Sequence, residues 1–215
     1  MITDIYYVIP EIFLSLSLMF LLILGVYKRK SSSIVYNFSI LILIVTIPLI
    51  LNVPSSKEVL IFNASYKIDY LSNFTKILIV ISTLFVLLTS SQYLKSIKIF
   101  NIEYPILILS SILGMMVMVS SNDLIVFYIG LELQSLALYV LASFNRDNEL
   151  SSESGLKYFV LSALSSGLLL YGCSLVYGFS SSTNFFQISV NYDQSTQGII
   201  FGMVFILVGL AFKIS

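Results

Sequence analysis

Histidine and tryptophan are absent from this 215-residue sequence, and cysteine occurs once, as Cys173. These gaps exclude much site chemistry. Haem held by histidine, iron–sulfur clusters, zinc centres and nucleophiles activated by histidine all need side chains that are missing. No disulfide can close within the chain. Cys173, between Gly172 and Ser174 in an apolar run, reads as a small packing residue. No cofactor is therefore expected on this chain; if it serves redox metabolism, it does not hold the electrons. Charge is equally scarce. Eleven basic and 11 acidic residues make up 10% of the chain, against about a quarter in soluble domains. They balance to zero, which leaves no electrostatic footprint for nucleic acid.

Apolar residues dominate instead, at 58%, with a mean hydropathy of +0.98. Such a chain lacks the polar surface to stay in water, which makes it an integral membrane protein. A helix needs about 20 apolar residues to cross the hydrocarbon. Seven runs qualify, at 8–27, 34–53, 74–94, 104–121, 122–143, 155–178 and 196–215. The expected fold class is all-α, a polytopic transmembrane helix bundle of about seven spans. The fourth and fifth runs meet at SSND and form a tight hairpin, with Asn122 or Asp123 capping the fifth helix. The polar segment 54–73 contains VLIF and YKIDY, an alternation that suits short strands or a surface hairpin. Segment 179–195, rich in Ser, Asn and Gln, reads as a surface loop.

Lys28, Arg29, Lys30, Lys95, Lys98 and Arg146 follow the odd-numbered spans, whereas the other side carries Lys57 and Lys67. The positive-inside rule then turns the N-terminus outward and the C-terminus inward. The start, MITDIYY, has neither a basic n-region nor an Arg-rich transit pattern, so the first run is expected in the mature protein. GLAFKIS ends without a cap, a Gly stop or polar flanks, which suggests part of a longer protein or one piece of a split one.

Few charges fall inside the spans. Glu11 follows Pro10, where a proline and an acid both suit a helix N-terminus, and reads as structural. Lys76, near the start of the third span, is expected to snorkel outward. Glu132 is different. It lies about ten residues, or ~15 Å, from either end of its run, beyond the reach of a carboxylate to the headgroups. A charge at that depth costs about 3 kcal/mol, so Glu132 must be neutral, paired or hydrated. Lys213 lies deep in the last run or at its inner end, and the spacing alone leaves both open. Lys157 lies near the inner end of the sixth run, where it can snorkel. One deep acid and two lysines on three successive helices suit a proton relay, because burial favours a neutral lysine whereas arginine stays charged. Ser135, Ala137, Ser162, Ala163, Ser165, Ser166 and Gly167 let these helices approach closely; most of them read as packing residues.

The stretches FYIGLELQSLALYVLASF, SSESGLKYFVLSALSSGLLLYGCSLVYGF and LVGLAFKIS resemble subunit 2 of NADH dehydrogenase, respiratory complex I, whose bacterial counterpart is subunit N. The resemblance covers the whole chain but only about the first half of a complete family member. It implies an antiporter-like subunit with two inverted five-helix repeats, here with the first repeat incomplete. The division it implies is 1–103, three helices with an outer loop, and 104–215, the start of the repeat. By this resemblance Glu132 matches the family's essential glutamate, Lys213 the lysine that pairs with it at a broken helix, and Lys157 a lysine that modulates the pair or takes in protons. The function implied is proton translocation coupled to ubiquinone reduction elsewhere in the complex. The alternatives are a multi-subunit cation/proton antiporter or a structural assembly fragment. Expected partners are other complex I membrane subunits, lipid and a second chain supplying the remaining half. The abundance of Ile, Phe, Tyr, Asn, Lys and Ser, with no import signal, suggests the mitochondrial inner membrane with the N-terminus on the intermembrane-space side; a bacterial plasma membrane is the alternative.

Overall fold

The computed structural model describes residues 2–27, 32–54, 58–97, 99–190 and 196–214. Lys28, Arg29, Lys30, Lys57 and Lys98, on which much of the orientation argument rests, lie outside them. The helices are α1 (Ile2–Tyr7), α2 (Ile9–Tyr27), α3 (Ser32–Leu51), α4 (Tyr70–Ser96), α5 (Glu103–Val119), α6 (Leu124–Ala142), α7 (Glu149–Ser180), α8 (Phe185–Val190) and α9 (Thr196–Ile214). Six are long and apolar enough to cross a membrane, and the 17-residue α5 is the shorter seventh. The expected runs are recovered within a few residues. The departures are α8, inside the segment read as plain loop, and the extra turns that α7 gains at its start. Asn148 caps those turns, accepting the Leu150 N–H at 3.0 Å.

Two packed units follow from the apolar faces. In the first, α2, α3, α4 and α5 form a four-helix group around Leu14, Leu21, Leu43, Val80, Leu87 and Leu109, all fully buried. In the second, α6, α7 and α9 pack around Leu131, Leu169, Cys173 and Val176. The two meet along α5 and α6. Every helix but α5 also turns large apolar side chains outward, such as Leu16, Ile23, Phe85 and Phe201. A helix apolar on every side belongs in lipid or a large core.

Between α3 and α4 runs a small antiparallel hairpin, β1 (Val59–Ile61) and β2 (Tyr66–Ile68), the surface hairpin that the alternation in 54–73 suggested. Its turn carries Phe62, Asn63 and Ala64 at φ of 52°, 55° and 63°, a left-handed run that side chains other than Asn resist. Two amides hold it there. Asn122 Nδ2 and Asn184 Nδ2 both donate to the Ala64 carbonyl, at 2.7 and 2.9 Å. Lys67 N–H donates to the Ser120 carbonyl at 2.8 Å, and Asn122 N–H to that of Ser65 at 2.9 Å. The hairpin is thus bound to the α5–α6 turn and to the segment after α7.

Candidate functional site

The Glu132 site is set by helix starts and close helix contacts. Asp123 begins α6, its Oδ1 accepting the Ile125 N–H at 2.8 Å, while its Oδ2 accepts the Thr183 hydroxyl. This fixes α6 in register against the end of α7. The α5–α6 contact depends on Gly114 and Gly130. A Cβ on Gly114 would come within 2.7 Å of the Gly130 carbonyl and 2.6 Å of the Gln134 nitrogen. Against α7, α9 is equally tight: a Cβ on Gly209 would lie 2.8 Å from the Leu169 Cβ and 2.9 Å from the Ser165 carbonyl. Such approach brings polar groups from three helices to one point.

That point is Glu132 Oε1. Lys213 Nζ, from the last turn of α9, lies 2.6 Å away, and the Ser166 hydroxyl of α7 donates to the same oxygen. The Glu132 and Lys213 side chains retain 21% and 11% of their exposure, so the pair is largely withdrawn from solvent. A cavity of about 190 Å³ adjoins it, lined by Gln134, Ser135, Tyr158 and Lys213 among others. Ser166 stands apart from its neighbours. Ser135 and Ser165 turn their hydroxyls back to carbonyls of their own helices, at 3.1 and 2.8 Å, as small packing residues do.

Lys157 is not brought to this site. Its ammonium pairs with Glu153 at 2.6 Å, one turn earlier on α7, and its side chain is 68% exposed.

A second buried pair overturns the expectation for Lys76 and gives Glu11, which does lie in the first turn of α2 as expected, a partner. Lys76 does not snorkel: it is 2% exposed, and its Nζ lies 2.6 Å from Glu11 Oε1. The Tyr66 hydroxyl donates to the same oxygen at 2.8 Å, and Lys76 Nζ also lies 5.2 Å from the centre of the Tyr66 ring. Burial, and then the charge of Glu11, pushes the Tyr66 hydroxyl well above the usual tyrosine range. The available signal was an acid and a lysine, each near the same end of an apolar run. Each alone had an ordinary explanation at a helix end, which hid the pairing.

Known proteins resemble this chain in sequence and fold. Residues 121–215 match a family described as NADH:quinone oxidoreductase/Mrp antiporter, TM. The NADH-quinone oxidoreductase subunit N of Pelagibacter ubique is 66% identical over 209 residues, which cover 97% of this chain and 44% of that protein. This chain is a partial-length homologue of subunit N. Among solved structures, respiratory complex I from Thermus thermophilus with bound aureothin matches at a TM-score of 0.78 and 25% identity, over 95% of this chain and 43% of that one. The Mrp complex from Dietzia matches at 0.74 and 17% identity, over 97% and 41%, a likeness of fold. The fold is thus the antiporter-like helix bundle of complex I and Mrp membrane subunits, and the chain spans under half the length of the subunit N relative.

Proposed function

We propose that this chain forms part of a proton-translocating membrane-arm subunit of NADH:quinone oxidoreductase, in which quinone reduction elsewhere drives charge rearrangement at Glu132 and Lys213. The observation that carries this reading is the 2.6 Å contact between them, with Ser166 on the same carboxylate oxygen and each group on a different helix. In a medium of low dielectric, contact favours the charged pair, and separation favours the neutral acid and neutral amine. A small shift of α9 against α6 therefore moves one proton from Lys213 to Glu132 or back without leaving an isolated charge. The neutral acid can then pass its proton on and the neutral amine take up a new one. Glu132 accepts and donates the proton, Lys213 sets which state is favoured, and Ser166 steadies the carboxylate. Lys157, on the exposed side of α7 with Glu153, is assigned the role of modulating the pair or taking in protons.

No cofactor is assigned to the chain, and ubiquinone is the proposed electron acceptor of the complex. The partners proposed are the other membrane subunits of complex I, lipid and the remaining length of a subunit N-type protein, carried in the same or a second polypeptide. The division 1–103 and 104–215, with an incomplete first inverted repeat in the latter, belongs to this reading. The kinship to a bacterial subunit N supports a bacterial plasma membrane over the mitochondrial inner membrane. An N-terminus on the outer side is kept from the loop charges. The test is Glu132→Gln in the assembled complex, measured as protons moved per NADH oxidised; unaltered pumping sinks the role given to Glu132.

A cation/proton antiporter is the second reading, favoured by the likeness to the Mrp complex. Sodium-linked transport that needs no NADH would select it. Loss of complex assembly on deleting the chain, rather than loss of pumping alone, would select a structural fragment.

A further inference from the structure

We propose that Glu11, Lys76 and Tyr66 form a second proton-binding site, opening toward the β1–β2 hairpin and separate from the Glu132–Lys213 pair. It adds to the function above and rests on it only for the use made of the proton. Three elements meet there. In the four-helix unit α2 and α4 face each other across the interior, and Lys76 reaches Glu11 through that interior, while β2 lays Tyr66 over the pair. All three residues are more than nine-tenths buried: Glu11 is 5%, Lys76 2% and Tyr66 6% exposed. Packing does not require such a group, since apolar residues of similar volume often serve stability as well or better.

The carboxylate is used unevenly. Oε1 takes both Lys76 Nζ, at 2.6 Å, and the Tyr66 hydroxyl, at 2.8 Å. Oε2 is buried with no hydrogen-bond partner among the described residues. A proton arriving at Oε2 forms one O–H bond and leaves both Oε1 contacts in place. Lys76 keeps its proton and carries the one positive charge that the site gains. Its ammonium stays next to the Tyr66 hydroxyl oxygen, to which it donates at 3.4 Å, and the Tyr66 ring. No oxidant or further reactant is needed, because water at the hairpin face supplies and accepts the proton.

The surroundings isolate the site. The ionisable neighbours that face Glu11 are Lys76 from α4 and Tyr66 from β2, and Tyr7 of α1 packs on the same hairpin cluster. Lys67 turns to the surface, bound to Glu58 at 3.0 Å and Asp69 at 3.3 Å. Tyr36 of α3 and Glu103 of α5 are engaged at the opposite end of the bundle, with Ser90 and Arg146. The cover is one hairpin thick, and its strained turn is held by Asn122 and Asn184.

The experiment is pH-difference infrared spectroscopy of the full chain in lipid nanodiscs. The expected result is a carboxylic-acid C=O band that titrates, is lost in Glu11→Gln and persists in Glu132→Gln. In Tyr66→Phe the midpoint moves to higher pH, because a donor to the charged form has gone. The double variant Glu11→Gln/Lys76→Met, which leaves no unpaired charge, guards against misfolding of the single one and must also lack the band. A carboxyl-region spectrum that is the same in the wild type and the folded double variant overturns the site, as does a midpoint unmoved by Tyr66→Phe. A Glu11 band in a chain whose complex does not pump counts against the function above and leaves this site standing.

Discussion

Glu132 and Lys213 are worth more together than apart. Removing one partner of a buried pair leaves the other charge uncompensated, at about 3–5 kcal/mol when burial is complete. Glu132 keeps 21% of its side-chain exposure, so the loss is smaller. Lys213→Met should lower stability by about 2 kcal/mol, and adding Glu132→Gln should recover most of it. Thermal unfolding in detergent measures both, and a double variant no more stable than the single one would show that the pair is uncoupled. Ser166→Ala tests the third member. A hydrogen bond to a charged group contributes about 1.5–3 kcal/mol. Its loss should shift the pH profile of proton transfer while leaving the helical content intact. An unchanged profile would make Ser166 a packing residue like Ser165.

Helix contacts decide whether these side chains can meet. Gly209 lies one turn before Lys213, and any Cβ there strikes Leu169 and the Ser165 carbonyl. Gly209→Val should therefore push α9 away from α7 and separate Lys213 from Glu132, at about 1–3 kcal/mol of overpacking. A crosslinking yield between α7 and α9 equal to that of the wild type would contradict this. Asp123→Ala removes both the cap of α6 and the anchor for Thr183, and should cost about 1 kcal/mol or somewhat more in thermal unfolding. The helices themselves were legible in the sequence, because a run of apolar residues long enough to span leaves little else to form. Asp123 was legible as a cap for the same local reason. Ser166 as a partner of Glu132 was not, since its serine neighbours carry the same pattern and only the rotation of α7 separates them. The Glu11–Lys76 pair was hidden for a related reason: each residue had an adequate local explanation at a helix end, and their meeting depends on how α2 and α4 pack.

At the scale of the whole molecule, the hairpin side couples the two packed units. Lys67, Glu58 and Asp69 form its surface charge cluster. The hydrogen bond from Lys67 to Glu58 holds the lysine above its ordinary range. Burial pushes Asp69 up, but the hydrogen bonds from Ser72 and the charge of Lys67 outweigh it and hold Asp69 below the usual range. The Lys67 contribution is thus present below the ordinary lysine pKa and lost as pH rises through the raised value. The Asp69 contribution is present above the ordinary carboxyl pKa and lost as pH falls through the lowered one. Lys67 is one-third exposed, so Lys67→Met should change stability at neutral pH by only about 0.2–1 kcal/mol and flatten the alkaline side of the pH–stability curve. Two ion pairs on separate helix groups, joined by a hairpin, give the molecule two places to hold charge inside the membrane. The Glu132 pair is central to the proposed function. The most direct measurement of it is proton pumping in assembled, NADH-oxidising complex carrying Glu132→Gln. The account predicts turnover about tenfold or more slower, at least ~1.4 kcal/mol of barrier, with fewer protons moved per NADH. Wild-type rate and stoichiometry in fully assembled complex would contradict it.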